Sequence, residues 1–125
     1  MRNRFMRREF SFLGDIVAEA DVVLRHIDGC SLDRFVADPI LSRAVLHSLM
    51  IIGEAANRIP VEVQSRHPQV PWRDLAALRN RIVHDYPGVD LKLVWGLISQ
   101  RLSKLREQIV GILEREDDDD APRRP

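Results

Sequence analysis

Residues 90–112 read DLKLVWGLISQRLSKLREQIVGI, and the spacing of their apolar residues sets the architecture of the chain. Leu91, Trp95, Ile98, Leu102, Leu105, Ile109 and Ile112 recur in alternating steps of four and three, a heptad seam sustained over three repeats. Such a seam leaves water only by packing on other helices, as in an antiparallel bundle or coiled coil. Asp90 stands where an N-cap belongs, with a carboxylate able to accept from the first unpaired backbone N–H groups. The pattern predicts one long helix here.

The same period governs the rest of the chain. Upstream, a third helix starts at Pro71-Trp72 and must end near Asp85 or Tyr86, because Pro87-Gly88 cannot continue it. Its core face is Leu75, Leu78 and Ile82. Pro60, Pro68 and Pro71 divide the preceding segment into a short helix and a turn. From Asp38-Pro39 to about Ile59 runs a second helix, with Asp38 as cap and Pro39 at the first helical position, where the missing N–H costs nothing. Leu41, Val45, Leu49, Ile52 and Ala56, with their neighbours, cover most of its circumference and predict a central position. In the first segment Leu13, Ile16, Ala20, Val23 and Ile27 form one apolar stripe, which Asp28-Gly29 stops. Ser31 can cap a short turn through Val36. No run of alternating β-branched residues suggests a strand. The expectation is an all-α protein, an antiparallel four-helix bundle with a short additional helix over residues 9–115. A basic N-terminal tail, 1–8, and an acidic, proline-bearing disordered C-terminal tail, 116–125, flank it.

The 125 residues suffice for one core. Nineteen Lys+Arg balance nineteen Asp+Glu, which excludes a protein held on nucleic acid mainly by bulk charge. Six of the acids fall within residues 114–125, so residues 1–113 carry 16 bases against 13 acids, a mildly basic body. A single cysteine, Cys30, excludes a disulfide scaffold and a cysteine-rich zinc module, and fits a reducing, cytoplasmic setting. Ala44–Gly53, the longest uncharged run in the most apolar region, spans ten residues. That is well short of the roughly 20 a membrane span needs, so no membrane association is expected. Arg2, Arg4, Arg7 and Arg8 open the chain, but Glu9 and Asp15 put acidic charge where an apolar signal segment would lie, and no signal peptide is read there.

Chemistry concentrates at the end of the third helix, in Leu78-Arg79-Asn80-Arg81-Ile82-Val83-His84-Asp85-Tyr86. Arginine offers a planar donor fork for phosphate, histidine moves protons near neutral pH, and tyrosine adds a nucleophilic hydroxyl. Spacing alone says little, since a histidine five residues after an arginine is expected about 0.5 times by chance in such a composition. The whole context, Arg-Asn-x-x-x-His-x-Tyr closing a helix, is more informative. At 100° per residue Asn80 and His84 share a face, whereas Arg79 and His84 lie about 140° apart. One helix therefore aims the pair poorly at a single atom, while two copies across a two-fold axis can converge on a common cleft, which predicts a homodimer with a shared site.

Arg79-Asn80-x-x-x-His84-x-Tyr86 resembles the Arg-x4-6-His signature of the HEPN superfamily in its HepT-like form. Ile51-Ile52-Gly53-Glu54-Ala55-Ala56, Pro71-Trp72-Arg73-Asp74 and Gly88-Val89-Asp90-Leu91 are similar to further blocks of that family, so the likeness covers roughly residues 9–113. The resemblance implies a HEPN-like helical fold and a metal-independent endoribonuclease without a cofactor. It also implies the toxin of a type VII toxin–antitoxin pair, neutralised by a minimal nucleotidyltransferase (MNT-type) antitoxin. Arg79 and His84 would be the catalytic pair acting on RNA, Asn80 their support, and Tyr86 the acceptor of AMP from the antitoxin. Pro87 departs from the family, which often carries an aromatic residue there.

Other polar residues have plainer readings. Glu54, on an apolar helix, either holds Arg79 or Arg58 from behind or forms a rim salt bridge. His47 lies seven before Glu54 on the same face, but a metal site there lacks a third ligand at suitable spacing. His26 and His67 are expected at the surface, and Trp72 and Trp95 in the core or a dimer contact. A reading from another class, a non-catalytic helical partner or substrate of a nucleotidyltransferase, stands beside the ribonuclease.

Overall fold

The computed structural model describes the backbone of residues 4–120 and the side chains of residues 11–115. Among them the chain forms seven helices and no strand: α1 (Arg4–Ile27), α2 (Leu32–Ala37), α3 (Pro39–Asn57), α4 (Val61–Arg66), α5 (Trp72–Asp85), α6 (Leu91–Gln100) and α7 (Leu102–Asp120). The stops and caps are local chemistry. Gly29, at φ 73°, turns the chain out of α1 through the left-handed region, where a residue without Cβ is unstrained. The Ser31 hydroxyl accepts from the Arg34 N–H at 3.2 Å. Asp38 Oδ1 accepts from the N–H groups of Ile40 and Leu41, both at 3.1 Å, directly ahead of Pro39. Replacing Asp38 by alanine removes both bonds and is expected to cost about 1 kcal/mol. A lower urea midpoint at constant m value is the expected reading, and an unchanged midpoint would refute it.

α3 is the hub. It packs most extensively on α5 and α1, and α1 in turn packs on α7. Val45, Leu46, Leu49, Ile52, Ala55 and Ala56 are buried along α3, the wide apolar circumference the sequence shows. By length and composition alone this 19-residue helix could cross a membrane. Half of it is buried inside the bundle, and Arg43, His47 and Glu54 stand along it.

The α3–α5 contact depends on Gly53. A Cβ built there would lie 2.4 Å from the Arg79 Cβ and 2.6 Å from the Leu75 carbonyl oxygen, so the two backbones approach more closely than any side chain at 53 allows. Farther along, Leu46 and Met50 of α3 line one groove with Ile82 and Tyr86 from the far end of α5. As α3 numbers fall, α5 numbers rise. The two helices run antiparallel.

Two features depart from the sequence reading. The seam from Leu91 to Ile112 is carried by two helices, with a break at Arg101 (φ −119°, ψ −24°). The Arg101 N–H donates to Leu97 O at 2.9 Å and the Leu105 N–H to Arg101 O at 3.1 Å, so one helix closes on Arg101 and the next opens from it, while Ile98, Leu102, Leu105, Ile109 and Ile112 all stay buried. Trp95, half-buried, meets the buried Phe35 of α2 with ring centroids 5.4 Å apart. The second departure is His67, which is buried rather than exposed. The turn from Pro68 to Pro71 closes back on it, and both the Val70 N–H and the Trp72 indole N–H donate to its carbonyl.

Helix also crosses both tail boundaries. α1 starts at Arg4, inside the stretch read as a basic tail, and α7 continues to Asp120, inside the stretch read as an acidic disordered tail. Arg, Met and Glu, which fill most of residues 4–9, are good helix formers, and no proline stands between Pro87 and Pro122 to stop α7. The remainder of both tails, with the side chains of residues 4–10 and 116–120, lies outside the described residues.

Candidate active site

α5 positions the polar cluster. Its start is fixed by buried Trp72, whose indole N–H holds the His67 carbonyl at 2.9 Å, and its apolar face by Leu75 and Ile82. Its end comes at Asp85, before Pro87-Gly88, so His84 lies in the last turn and Tyr86 is the C-cap. The Tyr86–Pro87 peptide bond is cis.

Arg79 faces α3 directly across the Gly53 contact. Its Nε lies 3.1 Å from Glu54 Oε2, and its Nη1 donates to Asn80 Oδ1 at 2.8 Å. The other Glu54 oxygen accepts from Arg58 Nε at 3.0 Å. Arg58 also places its guanidinium 5.8 Å from the centre of the Phe12 ring. Glu54 thus takes both arginines that the sequence offers as alternatives. All three side chains are more than a third exposed, so each pair adds at most about 1 kcal/mol to stability. The chief effect is orientation. The Arg79 Nε is held by the carboxylate and Nη1 by the amide, and Nη2 has no protein partner among the described residues.

His84 and Tyr86 are both exposed at the end of the same helix. The structure therefore brings Arg79, Asn80 and Glu54 into direct contact, and places His84 and Tyr86 along α5 from them, on the turn beyond. Within one chain Arg79 and His84 remain on different faces of α5, as the helical period requires. His47 is exposed on α3 near Tyr86. Among the described residues no group of three or more His, Cys, Asp or Glu is arranged to hold a metal ion. The proximity of Arg43 and His47 to Tyr86 escapes sequence reading, because it depends on the antiparallel register of α3 and α5. A glycine kept within an otherwise apolar helix, where it costs about 1 kcal/mol against alanine, is the one signal that could have pointed to the close crossing.

The molecule is thus a small all-helical domain that presents an anchored guanidinium, an imidazole and a phenol along one helix. Comparison with known proteins narrows this to a family. The chain belongs to the HepT-like ribonuclease family, whose model, described as "Ribonuclease HepT-like", matches residues 16–112. It is 35% identical over 111 residues to "Putative RNase TTE0752" of Caldanaerobacter subterraneus subsp. tengcongensis, covering 89% of this chain and 99% of that protein. It is 30% identical over 100 residues to "Probable ribonuclease HepT" of Thermococcus cleftensis, covering 80% of this chain and 91% of that one. No solved structure matches it significantly. Ribonuclease is the activity to which family and relatives point.

Proposed function

We propose that the protein is a metal-independent endoribonuclease toxin acting as a homodimer, with Arg79 and His84 from opposite subunits converging on one phosphodiester. The observation that carries this reading is the Arg79 fork, held through Nε by Glu54 and through Nη1 by Asn80 and left with a donor for an anion, on a helix that ends in exposed His84. RNA brings its own nucleophile. The 2′-oxygen attacks the adjacent phosphorus, the bond from phosphorus to the 5′-oxygen breaks, and the products are a 2′,3′-cyclic phosphate and a 5′-hydroxyl. His84 moves a proton, as base for the 2′-hydroxyl or as acid for the leaving oxygen, and Arg79 neutralises the non-bridging oxygens as charge builds on them. Asn80 and Glu54 hold Arg79 in its attacking pose. Mass analysis of the cleaved RNA tests the route: 2′,3′-cyclic phosphate ends are expected, and 3′-hydroxyl ends would overturn it.

The partner in this reading is an MNT-type nucleotidyltransferase antitoxin, encoded beside the toxin, that transfers AMP to Tyr86. Exposure of that tyrosine, about 47%, gives the hydroxyl the access such a transfer needs. The same exposure would also serve a protein that is only a substrate of the transferase. Growth arrest on expression, relieved by His84→Ala, separates the toxin from that alternative.

Glu54→Ala is expected to lower cleavage about tenfold while costing less than about 1 kcal/mol of stability, because the ion pairs it removes are half-exposed. Equal cleavage by the variant would refute the positioning role.

A further inference from the structure

Along the α3–α5 seam, past the Arg79–Glu54 contact, a groove of about 430 Å3 opens toward the end of α5. Its floor is apolar: Leu46 and Ile82 are buried and Met50 is half-buried. Its edge is exposed and carries Arg43, His47 and Tyr86, and no acidic residue lines it. Seven residues of helical rise separate Leu46 from Gly53, which puts the groove roughly 10 Å from the Arg79 contact. An apolar floor, an exposed phenol ring and two basic side chains, in a groove that no carboxylate lines, complement a planar base joined to a phosphate.

We propose that this groove is a nucleotide subsite, in which a base of single-stranded RNA stacks on the Tyr86 ring while Arg43 and His47 hold the adjoining phosphate. The inference rests on the ribonuclease reading above and extends it to residues outside the Arg79–His84 pair. The subsite takes the nucleotide next to the scissile one and contributes to affinity rather than to bond breaking. Stacking on an aromatic face is tolerant of base identity, so binding here is only weakly selective for sequence.

The test uses the chain carrying His84→Ala, to prevent cleavage, and a fluorescein-labelled 12-nucleotide single-stranded RNA read by anisotropy at several salt concentrations. Adding Arg43→Ala is expected to raise Kd five- to tenfold and to lower the slope of log K against log salt by about 0.7, the signature of one lost phosphate contact. Tyr86→Ala should weaken binding about tenfold, whereas Tyr86→Phe, which keeps the ring and loses the hydroxyl, should bind as before. Unchanged affinity and slope in Arg43→Ala, or equal binding by Tyr86→Ala and Tyr86→Phe, would overturn the subsite. So would a groove variant that alters the sedimenting species and leaves RNA affinity intact, since the groove would then be a protein–protein contact. The two readings fail separately. RNA binding through the groove by a parent chain that does not cleave RNA would remove the ribonuclease reading and keep the subsite. Cleavage with neutral groove variants would remove the subsite alone.

Discussion

His84→Ala is expected to slow RNA cleavage about a thousandfold while moving the melting temperature by no more than a degree or two. The first number is the usual scale of a general acid–base group, 10²–10⁴ in rate. The second comes from exposure: the imidazole projects from the last turn of α5 into solvent, so its deletion leaves no cavity. What remains is a few tenths of a kcal/mol of interaction with the helix C-terminus. The measurement is single-turnover cleavage of a defined RNA alongside thermal unfolding. A loss below tenfold at unchanged stability would mean that another group moves the proton. A large loss together with a large fall in melting temperature would mean that His84 is structural. Arg79→Lys adds a second reading of the same site, because an ammonium keeps the charge but cannot engage Glu54, Asn80 and a phosphate with one planar fork.

Gly53→Ala acts from outside the reacting groups. The added methyl would overlap the Arg79 Cβ and the Leu75 carbonyl, neither of which is the free end of a flexible side chain, so α3 and α5 must separate. Alanine returns about 1 kcal/mol of helix propensity. Overpacking of a close contact costs roughly 1–3 kcal/mol and occasionally more. The expected balance is a net loss of about 1 kcal/mol, seen as a fall in melting temperature of roughly 3–6 °C. Because the atom struck belongs to Arg79, cleavage should also fall about a hundredfold in the fraction that remains folded, the scale of a 1 Å misplacement. Unchanged stability and activity would show that the crossing has slack.

The two variants probe what the sequence revealed unequally. The caps at Ser31, Asp38 and Asp90, the left-handed Gly29 and the stop before Pro87 are legible because each depends on residues within a few positions. The central place of α3 is legible because apolar residues surround it. The break at Arg101 is not, since no proline or glycine marks it and the apolar spacing runs on through it. His67 is misplaced for a related reason: a histidine between an arginine and a proline looks exposed until the turn after it folds over. Of the candidate site, the Arg79–Asn80 neighbours and a carboxylate partner at Glu54 are legible from residue types. That Glu54 serves Arg58 and Arg79 at once, and that Arg43 and His47 share a groove with Tyr86, emerge only from helix register.

The packing of α1 on α7 joins the two ends of the fold, unlike the local pairings of α2 with α3 and of α6 with α7. During synthesis the apolar stripe of α1 leaves the ribosome long before the residues that cover it. A nascent chain that stops short of α7 has the stripe of α1 covered chiefly on the α3 side. The interval is an opening for chaperone capture.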